Sequence, residues 1–220
     1  MEWPLLAQLP DDERRGFLAN CRRQRFAKGD AVFHAGDPAE SLYLVATGRL
    51  AVWSFSELGD ATMLRLIGPG GFVGELSLLE EGQRRSATVR ALDEVETLSV
   101  GRNDFDRLRL EQPSVDRILL AALASELRRV SDLLMEMLFV PAETRVLRRL
   151  LSVATLWQER VPLPITQQEL AGLAGTTRAT ANHALREAAA HGLVALRRGS
   201  VEVLDAEGLA RRAHVRGLGE

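Results

Sequence analysis

The 220-residue chain has one cysteine, Cys21, and four histidines. A lone thiol cannot build an internal disulfide framework or the four-cysteine ligand set of an iron–sulfur cluster, so sensing through such a cluster is excluded. Cys21 is expected to be a partly buried structural thiol. The histidines are His34, His183, His191 and His214, with His34 alone before residue 183. That is too few for a histidine-rich metal enzyme, so neither a metal site nor an enzymatic activity is expected. No apolar run approaches the ~20 residues needed to span a bilayer. The opening Met1-Glu2-Trp3-Pro4 lacks the basic start and apolar core of a signal peptide, and a cytoplasmic location is expected. Net charge is −2, which does not announce a polyanionic partner. The distribution says more: from residue 141 onward there are 11 Arg, no Lys and 8 Asp+Glu, leaving +3 there and −5 before it. The C-terminal part is therefore the better candidate for phosphate contact.

Length and composition suit two modest domains with real cores. Residues 5 to 20 read as a short helical segment. From about Arg25 to Val100 the texture is of short apolar runs, such as Leu42-Tyr43-Leu44-Val45, Leu50-Ala51-Val52-Trp53 and Thr97-Leu98-Ser99-Val100. Glycines lie between many of them, which argues for an antiparallel sandwich or barrel. Composition does not choose between the two.

From Val115 to Val140 the period becomes helical. Leu120, Leu123, Leu127, Val130, Leu134 and Met137 form an a/d seam of more than two heptads. Ile118, Leu119 and Ala122 add apolar surface beside it, so one face can pack on the β domain while the seam meets a partner. Pro141 lacks the N–H that continues a helix and disfavours a helical residue before it. The boundaries expected are 1–114, 115–140 and 141–220.

Two stretches carry chemistry. The first is Gly74-Glu75-Leu76-Ser77 with Arg84-Arg85-Ser86-Ala87. A carboxylate accepts from a sugar hydroxyl. A guanidinium grips a phosphate through a planar fork, a hydroxyl and a backbone N–H complete the cradle, and glycine admits the main chain. The second runs from Ile165 to Leu185. Thr166 reads as an N-cap with Glu169 as its capping-box partner. Gly175 stands at a sharp turn and Thr177 caps a second helix. Arg178, Ala179, Asn182, His183 and Arg186 are left near the exposed N-terminal part of that helix. Thr166, Gln168, Thr176 and Thr180 suit phosphate contacts, which position without reading sequence. Arg197-Arg198-Gly199-Ser200 makes a hairpin turn, and with it a wing.

The first stretch closely resembles the phosphate-binding cassette of the catabolite activator branch of the CRP/FNR transcription-factor family. The long helix and the helix-turn-helix follow in that family's order. The resemblance implies an α+β chain: an N-terminal β-roll (jelly-roll) cyclic-nucleotide-binding domain, a long central dimerisation helix and a C-terminal winged helix-turn-helix. It implies cyclic AMP as allosteric effector. Glu75 would bind the ribose 2′-hydroxyl, Arg85, Ser86 and the N–H of Ala87 the cyclic phosphate, and Gly74, Leu76 and Ser77 would shape the cradle. Ser131 matches a serine that reaches the ligand from the partner subunit. Val130 stands where that branch has a threonine bonding the adenine amino group. Valine cannot make that bond, and losing a typical one weakens binding by ~0.5–1.5 kcal/mol, roughly three- to tenfold. Arg178 matches a guanine-reading arginine, whereas Ala179 and His183 replace a glutamate and an arginine that contact bases. Thr177 belongs to the same DNA-facing set. The partners implied are palindromic double-stranded DNA, a second copy of the chain, and RNA polymerase. The connection from Trp157 to Pro164 is shorter than the family segment that contacts polymerase, so activation and repression both stay open. The alternative is a regulator acting without cyclic AMP, its roll mainly a dimer scaffold.

Overall fold

The computed structural model describes residues 3–56, 61–78, 82–157 and 162–214, the side chains of Ser77 and Pro113 excepted. The chain divides into two compact units, one of residues 1–61 and 65–130, the other of residues 62–64 and 131–220.

The first unit opens with α1 (Asp11–Ala19), whose Phe17 is fully buried. Eight strands follow: β1 (Arg22–Phe26), β2 (Ala31–Phe33), β3 (Ser41–Thr47), β4 (Leu50–Phe55), β5 (Ala61–Ile67), β6 (Phe72–Val73), β7 (Thr88–Ala91) and β8 (Val95–Gly101). They form two four-stranded sheets, ordered β1-β8-β3-β6 and β2-β7-β4-β5. Neighbouring strands run antiparallel, with Leu42 opposite Val100 and Val52 opposite Val89. Alternation along β3 and β8 sends one set of side chains inward. Val45, Leu50, Ile67, Val73, Val89 and Val95 form one apolar cluster. This is the β-roll of the expected fold class.

Then come α2 (Arg102–Glu111) and the long α3 (Asp116–Phe139). Phe105 of α2 meets Phe17 edge to face at 6.3 Å between centroids. Ile118, Leu119 and Ala122 of α3 join a second cluster with Leu42, Leu44, Phe72 and Val100. Burying such side chains is worth about 1.5–3 kcal/mol for each large one. Cys21 is a free, partly buried thiol whose pKa is pushed up to about 12, by burial first and by Asp104 second. It stays a thiol at neutral pH.

α3 is amphipathic in two directions. Its first turns are buried on one side, while Leu120, Leu127, Leu134 and Leu138 are more than half exposed. Pro141 stands as N-cap of α4 (Ala142–Leu156), so the ladder breaks just where its missing N–H falls.

The second unit adds α5 (Gln167–Leu173), α6 (Arg178–Ala190), the hairpin β9 (Val194–Arg197) and β10 (Ser200–Val203), and α7 (Ala206–Arg212). Val146, Leu150, Leu170, Ala181, Leu185 and Ala188 are all buried. Arg145 is buried too, and all three of its guanidinium nitrogens donate to main-chain carbonyls. Nε donates to the Ala174 carbonyl at 2.9 Å, NH1 to that of Val140 at 2.8 Å, and NH2 to that of Gly175 at 3.1 Å. It pins the turn between α5 and α6 to the start of α4. Nearby, Glu136 near the end of α3 accepts from both Arg148, at 3.3 Å, and Arg149.

Replacing Arg145 strands three carbonyls. Arg145→Ala should lose about 2–4 kcal/mol of stability in the second unit. Denaturant unfolding followed by the fluorescence of buried Trp157 reads it, and a loss under ~0.5 kcal/mol would contradict the pinning role.

Candidate functional site

The first site is built on Arg85. This residue sits just before β7, and only 7% of it is exposed. Its guanidinium lies over the Phe33 ring, 4.1 Å from the centroid, with Tyr43 further off at 5.8 Å. NH2 donates to the Ser41 carbonyl at 2.8 Å, and NH1 lies 3.5 Å from the Gly74 carbonyl. Nε is buried and has no acceptor among the described residues. Burial is the main force lowering its pKa, and it remains a cation. A buried donor without a partner is costly.

Gly74 makes the placement possible. Its φ is +87°, and a Cβ there would lie 2.5 Å from Arg85 NH1 and 2.7 Å from the Ser41 carbonyl oxygen. Any side chain would displace the arginine or the strand. Glu75 follows at the start of a 3-10 turn spanning Glu75–Leu78 and is half-buried. Burial is the leading cause of its raised pKa, against backbone hydrogen bonds at Glu75 itself and at Gly74. Among the described residues Glu75 and Arg85 form no ion pair: the arginine bonds carbonyls instead. An exposed structural pair within a turn is therefore not what these two residues make.

A second set of charges faces Glu75 and was missed in the sequence reading. Arg65 lies on the same face of β5 as buried Met63 and Ile67, a charge at an inward position. Its NH1 bonds Glu126 of α3 at 3.0 Å, and Arg129 Nε bonds the same carboxylate at 3.1 and 3.0 Å. Arg129's hydrogen bond is the first cause of Glu126's lowered pKa, ahead of the opposing effect of burial, so Glu126 is ionised. Both Arg65 and Arg129 feel the charge of Glu75. The signal available in sequence was the parity of Met63-Leu64-Arg65-Leu66-Ile67, which puts an arginine where an apolar residue belongs. On the other side, Arg85 also feels the negative charges of Asp37 and Glu40.

The other residues of the set fall around this cluster with different exposure. Leu76 and Ser86 are exposed and Ala87 is half-buried. Ser77's side chain and the Glu80-Glu81 part of the turn lie outside the described residues. Val130 is 47% exposed on α3, and Ser131 is exposed.

The second site lies on α5, α6 and the hairpin. Thr166 Oγ1 accepts from the Glu169 N–H at 3.1 Å, and the Glu169 carboxylate accepts from the Thr166 N–H at 2.7 Å, a complete capping box. Gly175 has φ of +59°, which the reversal between helices needs. Thr177 caps α6, accepting from the Thr180 N–H at 3.2 Å. Each such cap is worth about 1 kcal/mol. Arg178, Ala179, His183 and Arg186 are exposed along one side of α6, with Asn182 half-buried. Gln168 is exposed and Thr176 half-buried; the Thr180 hydroxyl lies 3.0 Å from that of Thr177. Gln168, Arg178, Arg197 and Arg198 line one groove between α6 and the hairpin. Arg197 is tied to Glu202 at 2.7 Å. Part of the Trp157–Pro164 connection, residues 158–161, lies outside the described residues.

Comparison with known proteins gives these two sites a common context. The cyclic nucleotide-binding domain matches residues 23–112, and the Crp-like helix-turn-helix domain matches residues 144–212. The chain is 38% identical over 205 residues to the cyclic AMP receptor protein of Thermus thermophilus, covering 92% of this chain and 93% of that one. It is 34% identical over 194 residues to a CRP-like cAMP-activated global transcriptional regulator of Mycobacterium tuberculosis, 86% of each chain. Among solved structures, a CRP/FNR-family regulator of T. thermophilus superposes with a TM-score of 0.75 at 27% identity, covering 89% of this chain and 100% of that one. The c-di-GMP responsive regulator CLP of Xanthomonas campestris gives 0.74 at 26%, covering 88% and 99%. A β-roll that matches the cyclic nucleotide-binding domain, followed by a capped, winged helix-turn-helix, defines a DNA-binding transcription regulator with a cyclic-nucleotide-binding domain. The chain belongs to the CRP/FNR family. Among the described residues no helix is long and apolar enough to cross a membrane.

Because the folded-state pKa of Glu75 is raised, the unliganded protein holds that proton more tightly than the unfolded chain does. Its contribution is full below the ordinary glutamate range of ~4.3 and is lost as pH rises through the raised value. Glu75→Gln should flatten this decline in a melting-temperature series across pH. An unchanged pH profile would contradict the burial of that carboxylate.

Proposed function

We propose that this regulator is a homodimer controlled by a cyclic mononucleotide, cyclic AMP by preference, bound at Arg85 and Glu75. The observation that carries this reading is the unpartnered buried Nε of Arg85 beside a carbonyl-anchored NH2. A phosphodiester supplies the acceptors that this fork lacks. Glu75 accepts from the ribose 2′-hydroxyl, and Gly74, Leu76, Ser77, Ser86 and Ala87 complete the cradle. Val130 offers the purine an apolar contact, and Ser131 serves the site of the second copy. Curated relatives named for cyclic AMP support the choice of base.

The exposed seam of α3, with Leu127, Leu134 and Leu138 at 69%, 55% and 65% exposure, supports dimerisation through residues 115–140. Two recognition helices then address a two-fold palindrome, with half-sites about one DNA turn apart. Arg178 reads a guanine through two parallel hydrogen bonds, worth about 1–3 kcal/mol of discrimination. Thr166, Gln168, Thr176, Thr177 and Thr180 hold phosphates, while Ala179, Asn182, His183 and Arg186 line the base edges. The ligand acts by preferring the DNA-competent arrangement of the part after Pro141. RNA polymerase is a further partner if the bound dimer activates. The protein works where the DNA is, in the cytoplasm.

Calorimetric titration with cyclic AMP, cyclic GMP and cyclic di-GMP tests the reading. Saturable binding of cyclic AMP is expected, weakened about a hundredfold or more by Arg85→Ala, the equivalent of two charge-assisted hydrogen bonds. Binding of cyclic di-GMP in its place would overturn the effector assignment. No heat with any of the three would favour the regulator that acts without a nucleotide.

A further inference from the structure

α6 carries more than DNA-facing groups. His183 and Glu187 stand one turn apart on it, and Glu143 comes to the same spot from the first turn of α4. His183 Nε2 lies 3.6 Å from Glu143 Oε1 and 4.0 Å from Glu187 Oε1. One ligand atom from each of the three lies within 4.8 Å of the other two. Ligands of a tetrahedral ion at about 2.0–2.1 Å are separated by roughly 3.3 Å, so small rotations of these partly exposed side chains close the set around a cation. The orientation is partly fixed already. Arg212 NH2 bonds the far oxygen of Glu187 at 2.8 Å and leaves Oε1 turned toward the imidazole, an outer-shell arrangement that tunes a metal ligand. One imidazole and two carboxylates are a borderline donor set. It suits zinc and its divalent first-row neighbours better than calcium or magnesium, which take oxygen alone.

We infer that Glu143, His183 and Glu187 form a binding site for a divalent transition metal, zinc being the reference ion, that ties the recognition helix to α4. The sequence analysis expected no metal because four histidines are too few for a histidine-rich site; this set needs only one, joined by carboxylates from two helices. Occupancy takes His183 Nε2 away from any base contact and adds positive charge beside Glu143, Glu187 being already paired with Arg212. The ion thereby stabilises the second unit and changes which groups on α6 are free to meet DNA. None of this depends on the nucleotide reading, since every ligand lies in the second unit.

The test uses the full-length protein in a buffer free of phosphate and chelators, titrated with zinc by calorimetry and with cobalt(II) by visible absorption. The expected result is one ion per chain, the intense visible band of tetrahedral cobalt, and a melting temperature that rises with zinc and returns on adding EDTA. His183→Asn and Glu143→Gln should each weaken binding at least about tenfold. His34→Asn, an exposed histidine of the first unit, should leave it unchanged. All these side chains are exposed or partly so, and circular dichroism checks that the variants fold. If His183→Asn binds zinc as well as the wild type, or cobalt stays octahedral and pale, the three residues are an ordinary ion pair and the proposal falls.

Discussion

The guanidinium of Arg85 is the constraint around which the β-roll is arranged. A fully charged group is held inside a small β domain by one aromatic ring and two main-chain carbonyls. Without enough partners such a group costs several kcal/mol, and here one of its donors remains unmet. The roll accepts that cost at a defined place. Gly74 is stripped of a side chain so that the strand passes close to the arginine, and Glu75 is carried by the turn that begins there. Arg65 and Arg129 hold Glu126 beside it. Under the proposed function, the donor left unmet here is what gives the nucleotide its leverage.

That leverage matters because a ligand shifts an equilibrium only by its unequal affinity for the two states. A site already satisfied in the unliganded protein would bind weakly and shift little. A site with a buried unmet donor and a half-buried carboxylate gains more when filled. α3 contributes Glu126 and Arg129 to the charged cluster and continues through Val130 to the exposed leucines of the seam. α3 thus carries both part of this charged cluster and the surface proposed for dimerisation. Past it, Arg145 and the pair Arg148–Arg149 fix the start of the helix-turn-helix to the end of α3 through Val140 and Glu136. Movement of the end of α3 would not be lost in a slack joint.

Much of this was legible in the sequence where local chemistry decides. The capping box of Thr166 and Glu169, the turn at Gly175, the Thr177 cap and the wing at Arg198-Gly199 are short-range devices, and each stands in the structure as the residues imply. The β-roll was legible only as short strands, since sandwich and barrel share one alternation; the family resemblance chose between them. Arg65 and Glu126 escaped notice because their meaning is long-range. An arginine in β5 is unremarkable until its strand parity is known to point it inward, and Glu126 reads as one more polar position on a helix. Glu143 and His183 were separated for the same reason: spacing within a chain says nothing of two helices that meet at their sides.

The central proposal is that one ligand and one DNA site act on a single equilibrium of the proposed dimer. Its most direct test is a closed thermodynamic cycle in one buffer, with an operator selected from random DNA by the protein in the presence of cyclic AMP. DNA affinity is measured by anisotropy with and without saturating cyclic AMP, and cyclic AMP affinity by calorimetry with and without saturating operator. The account predicts that both affinities rise and by the same factor, because the coupling free energy is reciprocal. Tight cyclic AMP binding that leaves DNA affinity unchanged would contradict it.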